Sequence, residues 1–177
     1  MRINHRVSVL LIAVLSLAAP LSIPAISEAS QVATNPYGAS AIDPAGPNEV
    51  ILTVSSKSLT RTYKYADLVK LAKQDLIIHE PFLKKVQKFR VIPLATLFAA
   101  SKISASSHVV TQALNDYIYT NKASSFVKAK GYLAIQRTDK EIPYDQGGPI
   151  RIIYPDNSSW AKFLDPWNWS ISSIYVK

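Results

Sequence analysis

The chain of 177 residues is 48% hydrophobic and 18% charged, which suits one globular domain with a proper core and excludes disorder throughout. It has no cysteine, so disulfides, thiolate zinc sites, iron–sulfur clusters and cysteine nucleophiles are excluded. A formal net charge of +8 draws anions of many kinds and does not choose among nucleic acid, membrane and an acidic ligand.

Arg2 and Arg6 precede an apolar run from Val7 to Ala19, and prolines and small residues then lead to Ser27-Glu28-Ala29. This layout predicts a secretory signal over residues 1–29, cleaved after Ala29. Pro20 and Pro24 interrupt the run before the roughly 20 residues a spanning helix needs. The mature chain is therefore expected in the periplasm or secreted, not spanning a membrane. Losing Arg2, Arg6 and Glu28 takes the 20 basic and 12 acidic residues to 18 and 11, a net charge of +7. Nucleic acid is not an expected partner of an exported protein; a small anionic ligand or a periplasmic partner protein is.

Residues 30–48 are rich in Ala, Ser, Pro, Asn and Gly without periodicity and read as a flexible leader. A single α+β domain is expected over 49–177. EVILTVSS, Glu49 to Ser56, is β-rich and predicts the first strand. Tyr65, Leu68, Val69 and Ala72 recur at helical spacing and predict a short amphipathic helix. DLIIHE reads as a buried strand running into Pro81. FLKKVQKFR, Phe82 to Arg90, reads as a connection carrying Lys84, Lys85, Lys88 and Arg90, either solvated or one wall of an anion site.

KFRVI predicts a short strand, and Pro93 stands where a helix over PLATLFAAS would begin, with Leu94, Leu97 and Phe98 on its apolar face. SHVVTQAL and YIYT predict two strands joined by a turn at Asn115-Asp116. YLAIQR is a further strand, followed by a tight turn at Thr138-Asp139-Lys140-Glu141. PIRIIYP and WSISSIYVK complete the set. Many short strands with two or three short helices and no regular βαβ alternation define the α+β class.

Chemical motifs are few. DQGGPIRIIYPD, Asp145 to Asp156, meets neither the P-loop nor the dinucleotide pattern, so on residue types Gly147 and Gly148 make a turn and Arg151 projects from the strand that follows. An anion-holding loop is the alternative. With the signal removed, His79 and His108 remain, in no metal-ligand spacing. Asp67, Asp75, Glu80, Asp116, Asp139, Glu141, Asp145, Asp156 and Asp165 are scattered, and no GxSxG elbow is present. Trp160, Trp167 and Trp169 crowd the tail, where they cap a core, stack on a flat ligand or anchor a partner.

Taken in order, these segments resemble the oxidoreductase molybdopterin-binding domain, with its sulfite oxidase-type fold. YKYADLVKLAKQ resembles the family's short helix before the cofactor-proximal strand, and KFRVIPLATLFAASKI its strand-to-helix segment with a central Pro-Leu. VVTQALNDYIYTNKASSF is similar to the strand pair carrying Ala-x-Asp-x-Tyr. YLAIQRTDKEIPYDQGGPIRIIYPD is similar to the run ending in Gly-Gly-Pro-Leu-Arg, and SISSIYV to the closing strand.

The resemblance implies a compact core closed by the GGPIRIIYP block, its glycines making the strand entry, so that core-building and ligand-facing readings both hold, with Arg151 as the residue that decides between them. It also implies molybdopterin as a possible cofactor, held in catalytic members through a cysteine thiolate roughly where His79 and Glu80 stand. A cysteine-free chain lacks that soft ligand, so ordinary oxo-transfer is not expected. No catalytic residue and no metal ligand is assigned, and no cofactor is the primary expectation.

The favoured reading is an exported, non-catalytic module that binds a small anionic ligand or a partner protein. Its candidate ligand-binding residues are Arg151, Gly147, Gly148, Lys84, Lys85, Lys88, Arg90, His79, Asn115 and Asp116. The alternative is an oxidoreductase that holds molybdopterin through Arg151, Lys84, Lys85, Lys88 and Arg90 without a protein thiolate. A scaffold whose tryptophans face a partner subunit is the third.

Overall fold

The computed structural model describes residues 45–177. The expected signal over 1–29, and the leader up to residue 44, lie outside the described residues. The described residues form ten strands, three short α-helices and one 3₁₀ turn, with the strands in two sheets, one mixed and one antiparallel. None of the described helices is long and apolar enough to cross a membrane.

The first sheet has the order β2-β1-β10-β5-β6. β1 (Val50–Ser55) lies parallel to β10 (Ile171–Val176), so the last strand closes against the first. β2 (Thr60–Lys64) flanks β1; β5 (His108–Ala113) and β6 (Ile118–Lys122) extend the other side as a hairpin. In the second sheet β3 (Gln74–Glu80) pairs β4 (Lys85–Pro93), and β4 pairs β7 (Tyr132–Arg137). β7 in turn carries β8 (Lys140–Glu141) and β9 (Arg151–Ile153).

Local chemistry accounts for most element ends. Helix α1 (Tyr65–Leu71) begins where the Asp67 carboxylate accepts the Lys64 amide at 3.1 Å. Helix α2 (Leu94–Ala100) follows directly on Pro93, and buries Leu94, Leu97 and Phe98. Thr138 and Asp139 both take positive φ, as the tight β7–β8 hairpin requires. Asp116 does the same at φ 64° in the β5–β6 turn. One core cluster draws on both sheets, with Leu52 and Val54 from the first, Val91, Ile92, Leu133 and Ile135 from the second, and Leu68, Leu97 and Phe126 from the helices.

Two expectations are corrected. DLIIHE is not a buried strand: β3 is at the edge of its sheet, where Ile77 is 65% exposed while Ile78 and Glu80 point inward. The basic cluster is not one connection, because Lys85, Lys88 and Arg90 belong to β4 and Lys84 alone sits in the hairpin turn, at φ 52°. A third helix, α3 (Ala123–Lys128), within the two or three expected, forms in ASSFVK because Ala123 and Phe126 share one buried face.

Candidate functional site

The GGPIRI block does not form an anion-binding loop. The Gly147 amide donates to Tyr144 O at 3.2 Å and the Gly148 amide to Pro143 O at 2.9 Å, so both serve their own turn. Gly147 takes φ 82°, and a Cβ on Gly148 would stand 1.8 Å from the Ile142 carbonyl oxygen. Both positions therefore need glycine for backbone reasons.

Arg151 does not project to solvent. Its side chain is fully buried on β9, and its Nη2 donates to Glu80 Oε1 at 2.8 Å, with Glu80 also fully buried. The other Glu80 oxygen, Oε2, accepts the Leu83 amide at 2.6 Å, so one carboxylate both caps the β3–β4 turn and neutralises the arginine. The guanidinium lies 5.9 Å from the Phe82 ring centroid and 5.8 Å from that of Trp169. An ion pair sealed beneath two aromatic rings is a structural anchor between β9 and the hairpin turn.

The other basic candidates lie elsewhere or are exposed. Lys88 Nζ stands 3.0 Å from Asp75 and 3.8 Å from Asp139, and Arg90 contacts the same two carboxylates at 3.5 and 3.9 Å. Lys88, by its hydrogen bond, holds the Asp75 carboxyl below its usual range, and Asp75 in return raises the Lys88 ammonium. Asp75 precedes Glu80 by five residues, about 17 Å along an extended strand. This charge group is thus remote from Arg151. Lys84 and Lys85 are exposed at the hairpin end.

Two adjoining clefts lie around the hairpin turn. The first, of about 290 Å³, is lined by Phe82, Asn115, Tyr117, Leu164, Asp165, Trp167 and Trp169. The second, of about 480 Å³, shares Leu164 and adds His79, Pro81, Asp156, Ala161 and Lys162.

Buried Asn168 positions the aromatic wall. Its Nδ2 donates to Thr111 O at 3.0 Å and its carbonyl accepts the Ile152 amide at 2.7 Å, which pins the tryptophans on either side. The Tyr117 hydroxyl donates to Asp165 O at 2.9 Å and closes the opposite side. In the second cleft the Asp156 carboxylate grips His79 twice, at its Nδ1 (2.6 Å) and its backbone amide (2.8 Å). That grip, chiefly the imidazole hydrogen bond, lowers the Asp156 carboxyl below its ordinary value.

The structure therefore brings Asn115 and His79 to the clefts. Arg151 lies beneath them, and Asp116 only makes its turn. Trp160 packs on Tyr119, Phe126 and Tyr154 as part of the core boundary. Sequence reasoning named Glu80 as standing where the family's thiolate falls but assigned it no site role, and it did not single out Phe82, Asp165 or Leu164. The in-phase series Leu76, Ile78, Glu80 was the available signal, since alternation carries Glu80 onto the inward face.

The donors present do not fit the molybdopterin that the resemblance implies. The chain holds no thiolate, Glu80 engages Arg151, Asp75 and Asp139 flank Lys88 and Arg90, and the glycine amides are spent within their turn. Among the described residues, no three His, Asp or Glu side chains converge as a metal site.

No family model matches the sequence, and no curated protein matches it. Among solved structures, the fold is similar to a chain of the sulfane dehydrogenase SoxCD from Paracoccus pantotrophus, with a TM-score of 0.56 and 10% sequence identity. The match covers 75% of this chain and 39% of that one. The chain thus shares a related fold with this dehydrogenase while spanning well under half of its length.

Proposed function

We propose that this protein is an exported, non-catalytic binding module built on the sulfite oxidase-type molybdopterin-binding fold. The observation that carries this reading is the Glu80–Arg151 pair. In the family resemblance the metal-binding thiolate falls near Glu80, and the Gly-Gly-Pro block that carries Arg151 can both build the core and face a ligand. Here a carboxylate stands in that region and holds that arginine at 2.8 Å, with both groups closed to solvent. The charge that would recruit an anionic cofactor is thereby neutralised within the protein. Among the clefts that remain open to a ligand or partner is the aromatic one above it, beside exposed Phe163 and Leu164. Export rests on the pattern of residues 1–29.

The experiment is a dye-linked oxidation assay with sulfite and other reduced sulfur compounds, using mature protein purified from a host with intact cofactor synthesis. The module reading expects no turnover above the dye blank. Reproducible turnover would overturn it in favour of an oxidoreductase that holds its cofactor without a thiolate.

A further inference from the structure

We infer that the aromatic cleft is a site for a small organic cation of the quaternary ammonium type, an assignment that rests on the binding-module reading above. Its walls are largely aromatic. The Trp169 ring stands 4.3 Å from Phe82 at 87°, and the Trp167 ring 6.3 Å from it at 74°, so the three rings pack edge to face on one another at one side of the cleft. Tyr117 and Leu164 extend the wall, and the volume of about 290 Å³ suits a small ligand.

Ring faces carry negative quadrupole potential and attract a cation placed over them. A quaternary ammonium presents its charge through methyl groups and brings no N–H that needs an acceptor. It therefore suits a cleft whose lining is mostly apolar. One formal charge lines the cleft, the carboxylate of Asp165, and no lysine or arginine does. Burial first and Asp165 second push the Tyr117 hydroxyl above its ordinary value, and that hydroxyl donates to the Asp165 backbone carbonyl at 2.9 Å. The same rings already hold one cation from below, the Arg151 guanidinium, whose charge Glu80 offsets. A second cation at the open side therefore meets attractive rings and an acidic rim without an uncompensated positive charge beneath.

Choline and its uncharged isostere 3,3-dimethyl-1-butanol, titrated separately into the mature protein, separate charge from shape. Tryptophan fluorescence and calorimetry follow the binding. The expected result is saturable choline binding, with the isostere weaker by at least about tenfold. Asp165→Asn, at an exposed position, is expected to weaken choline severalfold and leave the isostere and the circular dichroism unchanged. Equal affinity for the two compounds, or no choline binding by protein of native circular dichroism, would overturn the assignment. Neither result touches the non-catalytic reading, which the dye-linked assay decides on the same preparation.

Discussion

Replacing Arg151 with methionine would strand the Glu80 carboxylate in a site closed to solvent, and would remove its donor at 2.8 Å. Methionine is close to the arginine stem in volume, so the cavity contribution is small and the uncompensated charge dominates. Breaking one side of a buried ion pair costs about 3–5 kcal/mol. In a domain of this size each kcal/mol moves the midpoint by about 3–6 °C, so Tm should fall by about 10–25 °C. Glu80→Leu combined with Arg151→Met removes both charges and leaves the Leu83 amide without its acceptor, a loss of about 1–3 kcal/mol. The double variant should therefore be more stable than Arg151→Met alone, with a coupling of at least about 2 kcal/mol. Urea unfolding followed by circular dichroism measures all four corners of this cycle. An Arg151→Met variant within about 1 kcal/mol of wild type, or strict additivity in the double variant, would refute the account of a sealed anchor.

Three further outcomes follow from the geometry. Gly148→Ala should abolish soluble folded protein, as judged by expression and circular dichroism, because its Cβ would meet the Ile142 carbonyl oxygen at 1.8 Å. The depressed Asp75 carboxyl contributes stability that is fully present above its ordinary value of 3.8 and is lost as pH falls through its lower folded value. Asp75→Asn should accordingly destabilise at pH 7 and converge with wild type on acidification below that value, as read by urea midpoints across pH. Asp156→Ala should speed hydrogen exchange of the His79 amide, which the carboxylate accepts at 2.8 Å, while the exchange of the Ile78 amide in the same strand stays slow.

The framework was legible where the local signal is chemically strong. The helical spacing of Tyr65, Leu68, Val69 and Ala72 gave α1, Pro93 marked the start of α2, and Asn115-Asp116 and Thr138-Asp139 marked two hairpin turns. The misreadings arose where composition and exposure part company. Ile77 is apolar yet exposed, since an edge strand has one open face, and Lys85, Lys88 and Arg90 lie along a strand instead of lining a loop. Helix α3 has six residues, too short for periodicity to announce it. The site was harder still, because its central contact joins residues 71 positions apart. Arg151 could be read from the Gly-Gly-Pro block, but its partner could not. Alternation with Leu76 and Ile78 puts Glu80 on the inward face of its strand, but only the fold sets it against Arg151, and only the Asn168 clamp sets Trp167 and Trp169 beside Phe82.

Under the proposed function, the Glu80 carboxylate neutralises Arg151 within the protein, so no anionic cofactor is held there. The most direct test is molybdenum and pterin analysis of the mature protein, purified from the export compartment of a host that makes the cofactor. The account predicts neither molybdenum nor pterin fluorescence above the level of a control protein from the same host. Both at one equivalent per chain would contradict it.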